Sequence, residues 1–275
     1  MKKQSKTSLI IVSLLVLILL VISLFPFYYM VVQSVMPWDT VDKQLFPTEF
    51  TFRSYEHLLN QGGGTNRSMW LRALGNSLLV SIPTAIISVM CGLWVGYSVT
   101  KLRNFSGKRI ILNSLLFQMF FPTIILLVPR YMIARPLANT YSGMIIPLAI
   151  SVWANYMYIN YFKTIPDALI EAAEIEGAGH FRIIRTIAFP IAKSVTTIVF
   201  LSIFMQRWGE LMWDMLVAPS VDMQTLNVLI STQFKPMGAF PGPMYAASVI
   251  LTIPIIVLFL MFSKYFKEGI SFMLK

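Results

Sequence analysis

The chain has 275 residues, 56% of them hydrophobic and only 12% charged, with a mean hydropathy of +0.69. Soluble domains carry about a quarter charged residues, so the composition excludes an ordinary water-soluble fold and points to a membrane protein. The formal net charge of +10 raises a nucleic-acid partner, and the placement of the charges then argues against one.

A helix needs about 20 consecutive apolar residues to cross roughly 30 Å of hydrocarbon. Charge-free runs of that length lie at Thr7–Trp38, Ala73–Thr100, Ile110–Pro129, Pro136–Phe162 and Pro236–Ser263. A sixth run, Ser194–Ala218, is apolar but interrupted by Arg207, Glu210 and Asp214. The expectation is an all-α integral membrane protein in one domain, 1–275, with no barrel-type alternation to compete. Its six transmembrane helices fall at approximately 9–36, 74–100, 110–130, 140–162, 194–218 and 242–263.

The first run outlasts a signal-peptide core of about 7–15 residues. No small-x-small cleavage site follows Phe25-Pro26-Phe27-Tyr28-Tyr29, so it reads as a retained helix. The loop from Pro37 to Arg72 is too short for an independent domain and contains a flexible Gly62-Gly63-Gly64. Pro83, Pro122, Pro147 and Pro254 fall within spans, where each removes a backbone donor and can bend its helix. Cys91 is the single cysteine and lies in the second span; His57 and His180 sit in different loops. No metal-binding pattern is present.

With the N-terminus in the cytoplasm, the inner segments hold Lys2, Lys3, Lys6, Lys101, Arg103, Lys108, Arg109, Lys163, Arg182, Arg185, Lys193, Lys264, Lys267 and Lys275. The outer loops hold Lys43, Arg53, Arg67, Arg72, Arg130, Arg135 and Lys235. This is the positive-inside bias, so the basicity reads as topology, with both termini cytoplasmic, and not as a nucleic-acid surface.

Between the fourth and fifth spans, residues 164–190 are unlike their neighbours. Thr164 and Asp167 resemble the start of a capping box, and Pro166 fits a first helical turn. Asp167, Glu171 and Glu174 fall at i, i+4 and i+7 on one helix face, with Ala168, Ala172 and Ile175 on the next. Gly177 and Gly179 should break this helix. A second short helix follows, with Phe181, Ile184 and Ala188 on one face and Arg182 and Arg185 beside it, stopped by Pro190. An interfacial helix resting on anionic lipid would favour Lys and Arg on its polar face. Three acids there fit a protein partner with basic groups better.

Glu171-Ala172-Ala173, then Gly177, Ile187 and Phe189-Pro190, resembles the EAA loop of ABC importer permeases, EAA-x3-G-x9-I-x-LP. Phe189 stands where leucine is usual. Asn76–Ala85, Asn139–Gly143 with Pro147, and Trp208–Trp213 also resemble segments of carbohydrate permeases. The chain is similar over 9–266 to the shorter membrane subunit of maltose-type importers; Lys264–Lys275 departs from the glycine-rich ending common there.

That resemblance implies a type I ABC importer permease fold in a bacterial or archaeal cell membrane. It implies a second, homologous permease, two cytoplasmic ATPase subunits and an extracytoplasmic solute-binding protein as partners. The 164–190 segment becomes the coupling helix that docks on an ATPase. Glu171 would pair with a basic group there, Ala172 and Ala173 would permit close contact, Gly177 would form the turn, and Ile187 and Pro190 complete the signature. The chain itself would need no cofactor, because ATP and Mg are bound by the ATPases. Its nearest approach to a phosphate-binding loop, Gly107-Lys108, has Leu102 and Arg109 where Gly and Ser or Thr are required.

In the fifth span Arg207, Glu210 and Asp214 recur at i, i+3 and i+7, on one face of a continuous helix. Ionisable groups at such depth face the bundle interior or a water-filled cavity. Trp208 and Trp213 flank them, and tryptophan faces suit sugar rings. Alternatively the charges pair with one another and the tryptophans form an aromatic belt. Gln118 and Asn155 are further polar candidates for the solute path.

The leading expectation is a non-catalytic permease subunit importing a carbohydrate or oligosaccharide. The alternative within the class is a non-sugar solute, a polyamine or a glycerol phosphoester. A membrane enzyme would need convergent catalytic groups, which the sequence does not present. A passive channel would have no use for the 164–190 segment.

Overall fold

The structure, a computed structural model, describes residues 6–61, 67–102, 105–233 and 241–273. Gly62-Gly63-Gly64, Lys2, Lys3, Arg103, Lys235, Pro236 and Lys275 lie outside the described residues. Every regular element among the described residues is helical. In chain order they are α1 (Lys6–Ser34), two short stretches (Arg53–Glu56 and His57–Gln61), α2 (Arg67–Lys101), α3 (Lys108–Met119) and α4 (Leu127–Ala134). Then come α5 (Tyr141–Leu148), α6 (Val152–Lys163), α7 (Asp167–Ile175), α8 (His180–Ile191) and α9 (Lys193–Trp208). The chain ends with α10 (Met212–Val217), α11 (Leu226–Gln233) and α12 (Pro241–Met273).

Three helices are long and apolar enough to cross a membrane alone: Leu9–Ser34 of α1, Met69–Lys101 of α2 and Pro241–Lys264 of α12. Two more qualify as bent pairs, α5 with α6 at 43° and α8 with α9 at 81°. The expected third, fourth and fifth spans are not single rods, the fourth, 140–162, being the bent α5–α6 pair. In 110–130, α3 ends at Met119 and α4 starts at Leu127, with tight turns between, such as Ile125 N to Pro122 O at 3.1 Å. Pro122 lies in the break and withholds a backbone donor there, whereas Pro129 falls in the first turn of α4, where a missing donor is tolerated. In 194–218, α9 ends at Trp208, Gly209 closes its last turn and α10 begins at Met212.

The described chain divides into two compact units, Met1–Trp70 with Ile230–Ile253, and Leu71–Leu229 with Pro254–Lys275. In the first, residues 9–28 of α1 are all exposed, an apolar surface suited to lipid. Near the end of α1, Val32, Met36 and Val41 form a small core with Tyr245. Asp42 accepts hydrogen bonds from Tyr29 at 2.9 Å and Tyr245 at 2.6 Å.

The second unit is organised around α2, α6 and α9. Gly92 and Gly96, one turn apart on α2, meet Tyr158 of α6 so closely that a Cβ would lie 2.7 Å and 2.5 Å from its atoms. Small residues four apart let helix backbones approach, which is how membrane helices gain packing without a hydrophobic drive. Tyr158 then donates to Thr196 of α9 at 2.7 Å. A second core gathers Val80, Ala134, Met144, Trp213 and Val217.

Candidate functional site

The 164–190 segment is a helix, a turn and a second helix, as its sequence predicts, but its start and end differ. Thr164 bonds back to Tyr161 O at 2.7 Å, and α7 has no side-chain cap. Its start is instead held by Lys101 at the end of α2, which donates to Ile165 O and, at 2.6 Å, to Asp167. The Lys101 side chain is 3% exposed, whereas Asp167 is 74% exposed. The hydrogen bond from Lys101, and then its charge, hold the Asp167 carboxyl below its ordinary value.

Ile170 and Ala173 face inward, while Glu171, Ala172 and Ile175 are exposed, Ile175 to 87%. Ala173, expected to lie with Ala172 at a partner surface, is therefore spent on packing within the chain. Gly177 adopts φ +80°, with Ala178 N bonded to Ala173 O at 3.0 Å and Gly177 N to Glu174 O at 2.9 Å. These are the two bonds of a Schellman turn, which requires a left-handed residue that glycine supplies without penalty. Across the turn Glu174 lies 3.7 Å from His180, whose Nδ1 is 3.2 Å from the Tyr97 hydroxyl.

In α8 the buried side is Ile183, Ile184 and Ala188, with Ile187 half-buried. Phe181 does not share it: it is exposed and its ring lies 5.7 Å from that of Trp94. Pro190 does not stop this helix, which continues to Ile191 and turns at Ala192. Residues Ile184–Ala188 form a wide π-turn immediately before, and such a turn lets the ladder omit the donor that Pro190 lacks.

The charged residues of the fifth run meet across the Gly209 break instead of along a helix face. Arg207 donates to both oxygens of Asp214, at 3.0 and 2.6 Å, and to Met144 O at 3.3 Å. Both side chains are almost fully buried, at 3% and 1% exposed. Thr225 adds a bond to Asp214 at 3.2 Å. Glu210 accepts from Trp213 N at 3.0 Å, at the start of α10. Trp208 and Trp213 are core residues: Trp208 stacks on Phe204 with ring centroids 5.5 Å apart, and Trp213 donates to Gly143 O at 3.2 Å. Neither offers a free face to a sugar ring.

A cavity of about 630 Å³ opens beside this break. Of the expected path residues, Gln118, Arg207, Glu210 and Trp213 line it; Trp208, Asp214 and Asn155 do not. Asn155 is buried in α6 with its side-chain oxygen unbonded. The lining adds residues that the sequence did not single out, Arg130, Trp153, Gln206 and Ser151. Arg130 reads as a loop cation while 110–130 is taken as one rod; the break after Met119 puts it in the wall. Among the described residues there is no group of three His, Cys, Asp or Glu side chains able to hold a metal.

A family described as "Binding-protein-dependent transport system inner membrane component" matches residues 88–271. The arabinooligosaccharides transport system permease protein AraQ of Bacillus subtilis (strain 168) is 25% identical, over 95% of this chain and 94% of its own. The sn-glycerol-3-phosphate transport system permease protein UgpE of Brucella abortus (strain 2308) is 25% identical, over 98% of each. The fold is that of a chain from a bacterial ABC transporter involved in the import of the acidic polysaccharide alginate. That chain has a TM-score of 0.83 at 20% identity, covering 97% of this chain and 100% of that one.

Proposed function

Because this chain belongs to the family of binding-protein-dependent transport system inner membrane components, we propose that it is the permease subunit through which ATP-driven import of a carbohydrate or oligosaccharide is coupled. As a member it is a multi-pass cell-membrane protein of an ABC importer, working with ATPase subunits and a binding protein. The finer assignments are ours: one permease domain over 1–275, a second homologous permease beside it, two cytoplasmic ATPases and an extracytoplasmic solute-binding protein. Both termini are placed in the cytoplasm of a bacterial or archaeal cell. The subunit is non-catalytic and holds no cofactor, ATP and Mg being bound by the ATPases.

One observation carries the coupling role. The inner side of α7 is tied to the chain through Lys101, Ile170 and Ala173, while Glu171, Ala172 and Ile175 point outward. Among the described residues Glu171 makes no ion pair, so this acid is available to a basic group on another protein. A motor seated there moves the membrane helices only if its nucleotide-bound form binds one permease conformation better than the other.

The carbohydrate assignment is supported by the relative named for arabinooligosaccharides, and the glycerol phosphate reading by the relative named for that solute. Uptake by the intact transporter of a panel of neutral oligosaccharides, glycerol 3-phosphate and polyamines decides between them. Transport of non-sugars alone ends the carbohydrate reading, and solute flux that persists without any ATPase ends the permease reading.

A further inference from the structure

We propose that the cavity beside the α9–α10 break is a solute subsite within this subunit, and that its occupant is an uncharged polyhydroxy compound. The proposal rests on the importer reading above and adds where in this chain the solute is held and why its charge is zero.

The lining is balanced in charge. Arg207 reaches the wall, but its two terminal nitrogens bond Asp214, at 3.0 and 2.6 Å, and its charge is matched by that buried carboxylate; only its buried Nε is without a bond. What remains is one cation, Arg130, and one anion, Glu210, gathered around Trp213. The Arg130 guanidinium lies 5.9 Å from the Trp213 ring centre, and Glu210 accepts the Trp213 backbone N–H at 3.0 Å. Among the described residues the Arg130 side chain makes no hydrogen bond or ion pair, leaving its N–H donors for a ligand. The Glu210 bond uses Oε1, so Oε2 is available as an acceptor. Gln118, exposed on the wall, offers both a donor and an acceptor.

A hydroxyl both donates and accepts, so a sugar satisfies all three side chains at once. An anion would gain from Arg130 but meet Glu210, and a polyamine would gain from Glu210 but meet Arg130; neither carries the opposite charge to offset the loss. Trp153, 37% exposed, supplies the apolar surface that sugar C–H faces require, which the buried Trp208 and Trp213 do not. A volume of about 630 Å³ lies within the range of small-molecule sites, about 300–1,000 Å³.

The test uses the complete transporter, both permeases with their ATPases, in lipid nanodiscs without the solute-binding protein. Equilibrium binding is measured for neutral arabino- and gluco-oligosaccharides, an oligouronate, glycerol 3-phosphate and spermidine. The proposal expects saturable binding of a neutral oligosaccharide only. It expects Kd to rise about tenfold in Arg130→Gln and in Glu210→Gln, the loss of one hydrogen bond to a charged group. Gln118→Ala, at an exposed position whose side chain supports no packing, should raise Kd several-fold with the complex intact. Unchanged affinity in all three variants overturns the subsite, as when a partner side chain fills the cavity. Binding of the oligouronate, glycerol 3-phosphate or spermidine in place of the neutral sugars overturns the charge assignment and leaves the permease reading standing. That reading fails separately, if proteoliposomes with the solute-binding protein show no ATP-driven uptake of any of these solutes.

Discussion

Lys101, at the last turn of α2, and Asp167, at the first turn of α7, are joined at 2.6 Å, with the lysine side chain buried and the carboxylate at the surface. The same ammonium holds Ile165 O. The helix that carries the exposed Glu171 is thereby fastened to the α2 helix that packs on α6 through Gly92 and Gly96. A displacement of α7 has a direct route into the membrane part of the second unit.

Breaking that link should uncouple the machine more than it unfolds it. In Asp167→Asn and Lys101→Met, ATP hydrolysis by the assembled complex should persist while solute uptake per ATP falls several-fold. Uptake and phosphate release, measured together in proteoliposomes, give the ratio. Equal falls in both would assign the pair to assembly alone.

The acid dependence of the link has a definite sign. Lys101 depresses the Asp167 carboxyl below its ordinary value, with Lys108 adding to the effect. A depressed carboxyl stabilises the folded state above its unfolded pKa, and the contribution is lost as pH falls through the folded one. The latch should therefore hold at neutral pH, persist through the ordinary carboxylate range and release only below it. Titration of a carboxyl-labelled Asp167 by carbon NMR should place its midpoint below that of a solvated aspartate, and Lys101→Met should move it back up.

Gly177 at φ +80° and Gly96 beneath Tyr158 make opposite demands on an added methyl. Nothing lies within 4 Å of a Cβ at Gly177, so Gly177→Ala should cost only the left-handed backbone strain, about 1–2 kcal/mol. At Gly96 a Cβ would meet Tyr158 backbone at 2.9 Å, so Gly96→Ala should force α2 from α6 and cost more, about 1–3 kcal/mol. Gly75→Ala, with open space around it, should be neutral or stabilising. Thermal unfolding of the complex in detergent orders the three.

The Arg207–Asp214 pair should behave as buried ion pairs do. Asp214→Ala leaves a buried cation unpaired and should destabilise by about 3–5 kcal/mol, whereas Arg207→Met with Asp214→Leu should recover most of the loss. A double variant no more stable than Asp214→Ala would show that the surrounding bonds from Thr225 and to Met144 O matter more than the pair.

The sequence made some of this legible and hid the rest for physical reasons. The 164–190 segment stood out because acids, glycines and arginines in an apolar chain have no structural excuse, and its turn depends on Gly177 as read. Its cap did not, because Thr164 could serve either the helix before it or the one after. The third, fourth and fifth runs look continuous because hydropathy does not register where a helix breaks; Pro122 and Gly209 sit at two of these breaks, yet Pro83 and Pro254 lie inside unbroken helices, so such residues alone do not mark a break. For the same reason Arg130 reads as a loop cation, whereas it lines the cavity. The i, i+3, i+7 spacing of Arg207, Glu210 and Asp214 leaves open a solute-facing stripe or mutual pairing and singles out no partner; the Arg207–Asp214 pair forms across a turn between two helices, which a continuous helix does not foreshadow.

On the proposed function, the outward face of α7 seats on an ATPase subunit. Ile175, 87% exposed beside Glu171, is the place to ask. With Cys91 replaced by serine, Ile175→Cys carrying a short photoreactive crosslinker should, in native membranes, yield an adduct with the nucleotide-binding subunit, and Glu171→Lys should abolish it along with uptake. Adducts with lipid alone, in membranes that still import solute at the full rate, would contradict the account.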